Sequence, residues 1–118
     1  MADDRCLFCA IRDSETTPKL YEDDLVYAIE IPEGHPNNRA PVHFVVIPNE
    51  HVSSALAMTD ENASVAGRLF TVAAKLAREK GIAESGFRLL TNAGPDANQT
   101  VFHFHLHCLG GRKLGHEG

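Results

Sequence analysis

Apolar and polar positions alternate with period two through Leu25, Tyr27 and Ile29 in the stretch KLYEDDLVYAIEI, and the acidic pair Asp23 and Asp24 marks a turn just before them. That pattern predicts a hairpin. The next segment, EGHPNNRAP, carries Gly34, Pro36, two asparagines and Pro41, so it is a loop. It leads into VHFVVIP, which is nearly all apolar and therefore predicted to be a strand in the middle of its sheet. The period then changes. Thr59 is a helix cap, Asp60 and Glu61 suit the first turn, Val65, Leu69, Val72 and Leu76 recur every three or four residues, and Gly81 is a stop signal. GFRLLTNAG predicts another strand and NAGPDANQ a tight polar loop. The last patterned stretch, VFHFHLHCLGG, has period two again, with three histidines on one face.

Composition narrows the class. A chain of 118 residues with 43% hydrophobic and 23% charged positions describes one soluble domain, and no boundary falls within residues 1–118. A net charge of -5 works against binding a nucleic acid polymer through its phosphates, which calls for clustered Lys and Arg. A small anionic ligand needs only a local donor pocket. The opening MADDRC has no apolar run of signal-peptide length, and no later segment approaches a membrane span. The expected location is therefore cytoplasmic, without membrane partners. Three cysteines then form no disulfide framework, and Cys6, Cys9 and Cys108 are reduced thiols or metal ligands.

On a strand His103, His105 and His107 share one face, and Phe102, Phe104, Leu106 and Cys108 fall on the other, the expected core side. A lone histidine is commonly structural or simply exposed, the reading taken for His35 and His116. Three in a row are different, because imidazoles cost solvation and pack poorly. One chemistry is a metal site. The outer two residues lie roughly 13 Å apart along a strand, too far for three rings to share one ion at about 2.1 Å. The other is nucleophilic catalysis, in which a central imidazole attacks an electrophile between two orienting, proton-bearing neighbours. It uses all three. Separately, CLFC spaces Cys6 and Cys9 so that both thiolates of one turn reach a single zinc; a redox pair or two small core residues are the alternatives.

The run His103, Phe104, His105, Leu106, His107, Cys108, Leu109 resembles the motif of the histidine triad family. CLFC, VHFVVIPNEHV, TNAG and QTVFHFHLHCLGGRK, in that order, resemble its nucleotide-binding Hint branch from about Cys6 to Leu114. The resemblance implies a single α+β HIT-like domain over 1–118, with an antiparallel sheet of about five strands and one long helix packed on it. It implies a homodimer that binds a purine nucleoside monophosphate, AMP or GMP-like, and hydrolyses nucleotidyl substrates at the α-phosphorus. In this likeness His105 is the nucleophile that forms a nucleotidyl-histidine and His107 the phosphate and leaving-group contact. His43 is the fourth member of the histidine network, and Asn92, Gln99 and Thr100 are polar groups around the phosphate. Glu30 and Ile31 fall at the ribose contact and beside the base.

The loop EGHPNNR is longer than in many relatives. The third histidine is kept, which favours a hydrolase such as a purine nucleoside phosphoramidase over a nucleotidyl transferase. Relatives that keep both cysteines bind zinc with them and with the positions of His51 and His103, so a structural Cys6, Cys9, His51, His103 site is expected, with no metal needed for catalysis. The competing readings are a nucleotide-binding interaction module with incidental activity, a dinucleotide polyphosphate hydrolase, and a metalloenzyme using a pair from the triad. For the homodimer, Ala66, Ala73, Ala74 and Ala77 in the helix of residues 60–80 are the candidates for close approach.

Overall fold

The structure is a computed structural model that describes residues 6–116. In chain order it contains α1 (Leu7–Asp13), β1 (Tyr21–Glu22), β2 (Val26–Glu30), β3 (Val42–Pro48), α2 (Ala63–Glu79), β4 (Phe87–Leu90) and β5 (Leu106–Gly110). All strand pairs are antiparallel, in the order β1-β2-β3-β5-β4, so the apolar VHFVVIP does stand in the middle. This is the α+β arrangement expected: a five-stranded antiparallel sheet with one long helix packed on it. Among the described residues no helix is long and apolar enough to cross a membrane.

The two faces of β3 explain the layers. Phe44 and Val46 point to one side, where Val65, Leu69, Val72 and Leu76 of α2 complete the main core with Val26, Ala28, Leu106 and Cys108. Val45 and Ile47 point to the other side, where α1 covers them with Phe8 and Cys9 beside Tyr27 and Ile29. The histidines lie on this second, thinly covered side. The hairpin closes as predicted, because Asp23 Oδ1 accepts the amides of Leu25 at 2.8 Å and Val26 at 2.9 Å. Arg68 of α2 donates to Asp23 Oδ2 at 2.8 Å and ties the turn to the helix.

Four expectations need correction. The helix face is right, but Thr59 caps a 3₁₀ turn over Asp60–Asn62, and the α-helix starts only at Ala63. Ala73 and Ala77 are fully buried in the protomer's own core, because α2 lays that side on the sheet; Ala66 and Ala74 remain partly exposed. CLFC opens a helix, α1, that the short pattern did not announce; Cys6 is its N-cap, accepting the Cys9 amide at 3.4 Å. Finally, the triad does not lie wholly on a strand. β5 begins at Leu106, so only His107 is in the ladder, and Phe102 is 59% exposed rather than in the core. The chain leaves the ladder where Phe104 donates its amide to Val52 at 2.6 Å and the buried His103 ring takes the Pro48 carbonyl.

Candidate active site

Strand register brings the imidazoles together. His43 of β3 pairs with Leu109 and Val45 with His107, so the His43 and His107 rings stand side by side on the α1 face. Their ring centroids are 5.2 Å apart, His107 and His105 are 4.9 Å apart, and His51 and His103 are 4.8 Å apart.

Hydrogen bonds assign the tautomers from one end of this row to the other. The Arg39 amide donates to His43 Nδ1 at 3.2 Å, so that nitrogen is unprotonated and the proton of neutral His43 sits on Nε2. His43 Nε2–H therefore donates to His107 Nδ1 at 3.0 Å, which leaves the Nε2–H of His107 as a free donor. His105 donates Nδ1–H to the His103 carbonyl at 2.8 Å, and its Nε2 carries a free lone pair. His103 donates Nε2–H to the Pro48 carbonyl at 2.8 Å, so its Nδ1 lone pair turns towards the cysteines. One donor and one nucleophilic nitrogen thus stand on neighbouring rings.

Burial keeps the row neutral. It lowers His43 to about 4, with the Arg39 charge and His35 acting in the same direction. It lowers His107 to about 3, reinforced by His105, His43 and Arg39. His105 is lowered by burial too, against the opposing bond to the His103 carbonyl. A neutral imidazole is the nucleophilic form. Cys108, on the opposite face, is a buried thiol pushed up to about 12 by desolvation and takes no part.

Beyond His105 lies a second group. The ligand atoms of Cys6, Cys9, His51 and His103 all fall within 4.8 Å of one another. Cys6 Sγ is 3.3 Å from His103 Nδ1, Cys9 Sγ is 3.3 Å from His51 Nδ1, and Cys9 Sγ is 3.5 Å from His103 Nδ1. A tetrahedral metal with ordinary sulfur and nitrogen bonds separates such ligands by about 3.6 Å, so two Cys and two His here can hold a metal ion. The Pro48 carbonyl supplies the outer hydrogen bond that aims the His103 lone pair inward.

The other expected residues divide. Ile31 is half-buried and packs, as Val101 does, against the apolar cluster that holds Phe8, Tyr27 and Val45. Glu30 is not brought to the site: strand alternation turns it to the opposite face, where Lys80 pairs with it at 3.4 Å. Gln99 is buried and its carboxamide ties the loop together, accepting the Gly94 amide at 2.9 Å and donating to Ser53 O at 2.7 Å. Asn92 is half-buried at the end of β4 and Thr100 is exposed. His35 and His116 are exposed, as expected. Three contributors escaped the sequence reading. Thr91 donates its hydroxyl to the His105 carbonyl at 2.9 Å, the Phe8 ring packs 4.9 Å from the His105 ring, and the Arg39 amide sets the His43 tautomer. Only Arg39, a cation in a loop close before a strand histidine, had a signal to follow.

Residues 12–114 match the HIT domain family. The chain is 38% identical to the purine nucleoside phosphoramidase of Escherichia coli strain K12 over 115 residues, 98% of this chain and 93% of the relative. Among solved structures it resembles a HIT family hydrolase from Clostridium thermocellum, with TM-score 0.87, 39% identity and 98% of each chain covered. A histidine triad protein from Clostridium difficile superposes with TM-score 0.89 at 36% identity over 100% of both chains. The chain belongs to the HIT family and is a HIT-type hydrolase.

Proposed function

We propose that this hydrolase cleaves nucleoside phosphoramidates at the α-phosphorus, with a purine nucleotide such as AMP or GMP as product and His105 as nucleophile. The observation that carries this reading is the bond from His105 Nδ1–H to the His103 carbonyl at 2.8 Å, which holds the proton on Nδ1 and leaves the lone pair of neutral His105 on Nε2. The name of the E. coli relative supports the substrate class. In the proposed course, Nε2 of His105 attacks the phosphorus in line and the bond to the leaving nitrogen breaks as that nitrogen takes a proton from solvent, which the water of the second step gives back. The Nε2–H of His107 donates to the phosphoryl oxygen where charge accumulates. Water then cleaves the nucleotidyl-histidine, releasing the monophosphate and restoring the imidazole. Ile31 is the apolar neighbour proposed for the base, and Asn92 and Thr100 are the polar groups proposed for the phosphate.

The Cys6, Cys9, His51, His103 group is assigned to structural zinc, which would tie α1 to the triad segment and take no step in the reaction. His105 and His107 remain outside that shell. A cytoplasmic location belongs to the same proposal, because Cys6 and Cys9 hold a metal as thiolates and a reducing compartment keeps them so. A homodimer is proposed as the working state, since β4 ends the sheet with an unpaired edge and Ala66 and Ala74 stay accessible on α2. The test is turnover of adenosine 5′-phosphoramidate by purified protein in excess chelator. AMP release supports the reading; an inert protein that still binds AMP would favour a nucleotide-binding interaction module, and turnover confined to dinucleotide polyphosphates would favour that hydrolase class.

A further inference from the structure

The imidazole row has one closed end and one open end. At the closed end His103 is buried against Cys6, Cys9 and His51. At the open end, beyond His107 and His43, the chain places two arginines. The Arg39 amide bonds to His43 at 3.2 Å, and the Arg112 guanidinium holds the Arg39 carbonyl at 2.9 Å. The extended loop before β3 and the segment after β5 therefore meet beside the row through these residues.

Among the described residues no carboxylate pairs with either charge. Five other cations of the described chain sit against carboxylates, Arg12 on Asp13, Lys19 on Glu22, Arg68 on Asp23, Lys75 on Glu79 and Lys80 on Glu30, whereas Arg78 on α2 and Lys113 beside Arg112 have no ion pair among the described residues. Arg39 and Arg112 are both exposed, and among the described residues neither has an ion-pair partner. Among the described residues the Arg112 guanidinium bonds to the carbonyl oxygens of Arg39 and Lys113, which leave its charge intact. The field of Arg39 reaches the row, because it opposes protonation of both His43 and His107. In a chain of net charge -5, this is a local inversion of sign at the edge of a phosphoryl-transfer site.

In-line displacement directs the leaving group away from His105 Nε2. We propose that Arg39, braced by Arg112, is a specificity residue that binds a negatively charged oxyacid group, carboxylate or phosphate, carried on the departing amine. The inference rests on the phosphoramidase reading and adds the charge of the leaving group to it. A guanidinium suits either oxyacid, since its planar fork bonds both through paired N–H groups. A selective role also fits this position, because the Arg39 side chain can be exchanged while its backbone amide keeps the bond to His43.

The test compares adenosine 5′-phosphoramidates whose amine bears a carboxylate, the isosteric neutral carboxamide, or a phosphate. The wild-type protein should prefer the carboxylate over the carboxamide by about tenfold in kcat/KM, the worth of one charge-assisted contact, and the preference should shrink with added salt. Arg39→Gln should bring the ratio close to one, and Arg39→Lys should retain part of it. The phosphate arm distinguishes which oxyacid fits better. An unchanged ratio in Arg39→Gln, or equal losses on charged and neutral substrates, would overturn the assignment, the latter by showing that Arg39 serves the nucleotide phosphate. Wild-type turnover of the carboxamide judges the phosphoramidase reading separately. Binding of the same pair to a His105→Ala protein reads the charge preference without any turnover.

Discussion

The ring of Phe8 stands 4.9 Å from the imidazole of His105, tilted 59° to it, and reaches there from between Cys6 and Cys9. The same ring is edge-on to His103 at 6.1 Å, and Tyr27 donates its hydroxyl to the Phe8 carbonyl. α1 is thus both one side of the metal-type group and a wall beside the imidazole proposed as nucleophile. Phe8→Ala should cost about 3–5 kcal/mol of stability and lower phosphoramidate turnover, while Phe8→Leu keeps most of the stability. Urea denaturation with parallel kinetics checks both; a Phe8→Ala protein with wild-type turnover would show that the wall is dispensable.

His105→Ala should reduce phosphoramidate turnover on the order of 10³-fold or more, yet leave AMP binding measurable by calorimetry, because the pocket persists without the nucleophile. Rapid acid quench of the wild-type protein with mass spectrometry looks for the nucleotide on His105 directly.

Metal analysis of protein expressed with zinc under reducing conditions should give about one zinc per chain. Cys6→Ser with Cys9→Ser should lower the melting temperature before it lowers kcat, since metal binding is coupled to folding and the free Nε2 belongs to His105. Absence of stoichiometric metal would leave the four side chains as a hydrogen-bonded cluster and His103 as an orienting residue.

Acid should weaken the fold through His43 and His107. Both are held neutral by burial, at about 4 and about 3 against an ordinary 6.5. Below 6.5 the unfolded chain takes protons that the folded protein refuses, so this stability is complete above 6.5 and is lost as pH falls towards 4. Each group contributes at most about 1.4 kcal/mol per pH unit. Urea midpoints at pH 7.5, 6 and 5 should decline, and His43→Gln should flatten the decline by up to one proton. A flat series would mean that both rings protonate in place.

The assembly is tested by sedimentation at micromolar concentration, where the proposed homodimer should show twice the 12.9 kDa of one chain. A monomer there would leave the β4 edge and the outer face of α2 without an assigned partner.

Periodicity alone predicted β2, β3, α2 and β4, because each buries a face or is buried outright, and burial writes itself into the order of apolar residues. The motif around His103, His105 and His107 pointed to the family and to a HIT-type hydrolase, because its histidines lie close together in the chain. α1 was not legible, being a seven-residue helix with too few turns to show a period. The departure of His103 from the ladder depends on the Pro48 carbonyl, and the neutral tautomer of His43 on the Arg39 amide, both bonds between backbone and ring. Glu30 and Gln99 had the residue types for ligand contacts, yet strand alternation turned one to Lys80 and the loop consumed the other. Sequence determined which side chains are present and which faces are apolar. Only the tertiary structure decided which backbone groups meet which rings, and that pairing sets where every proton of the row resides.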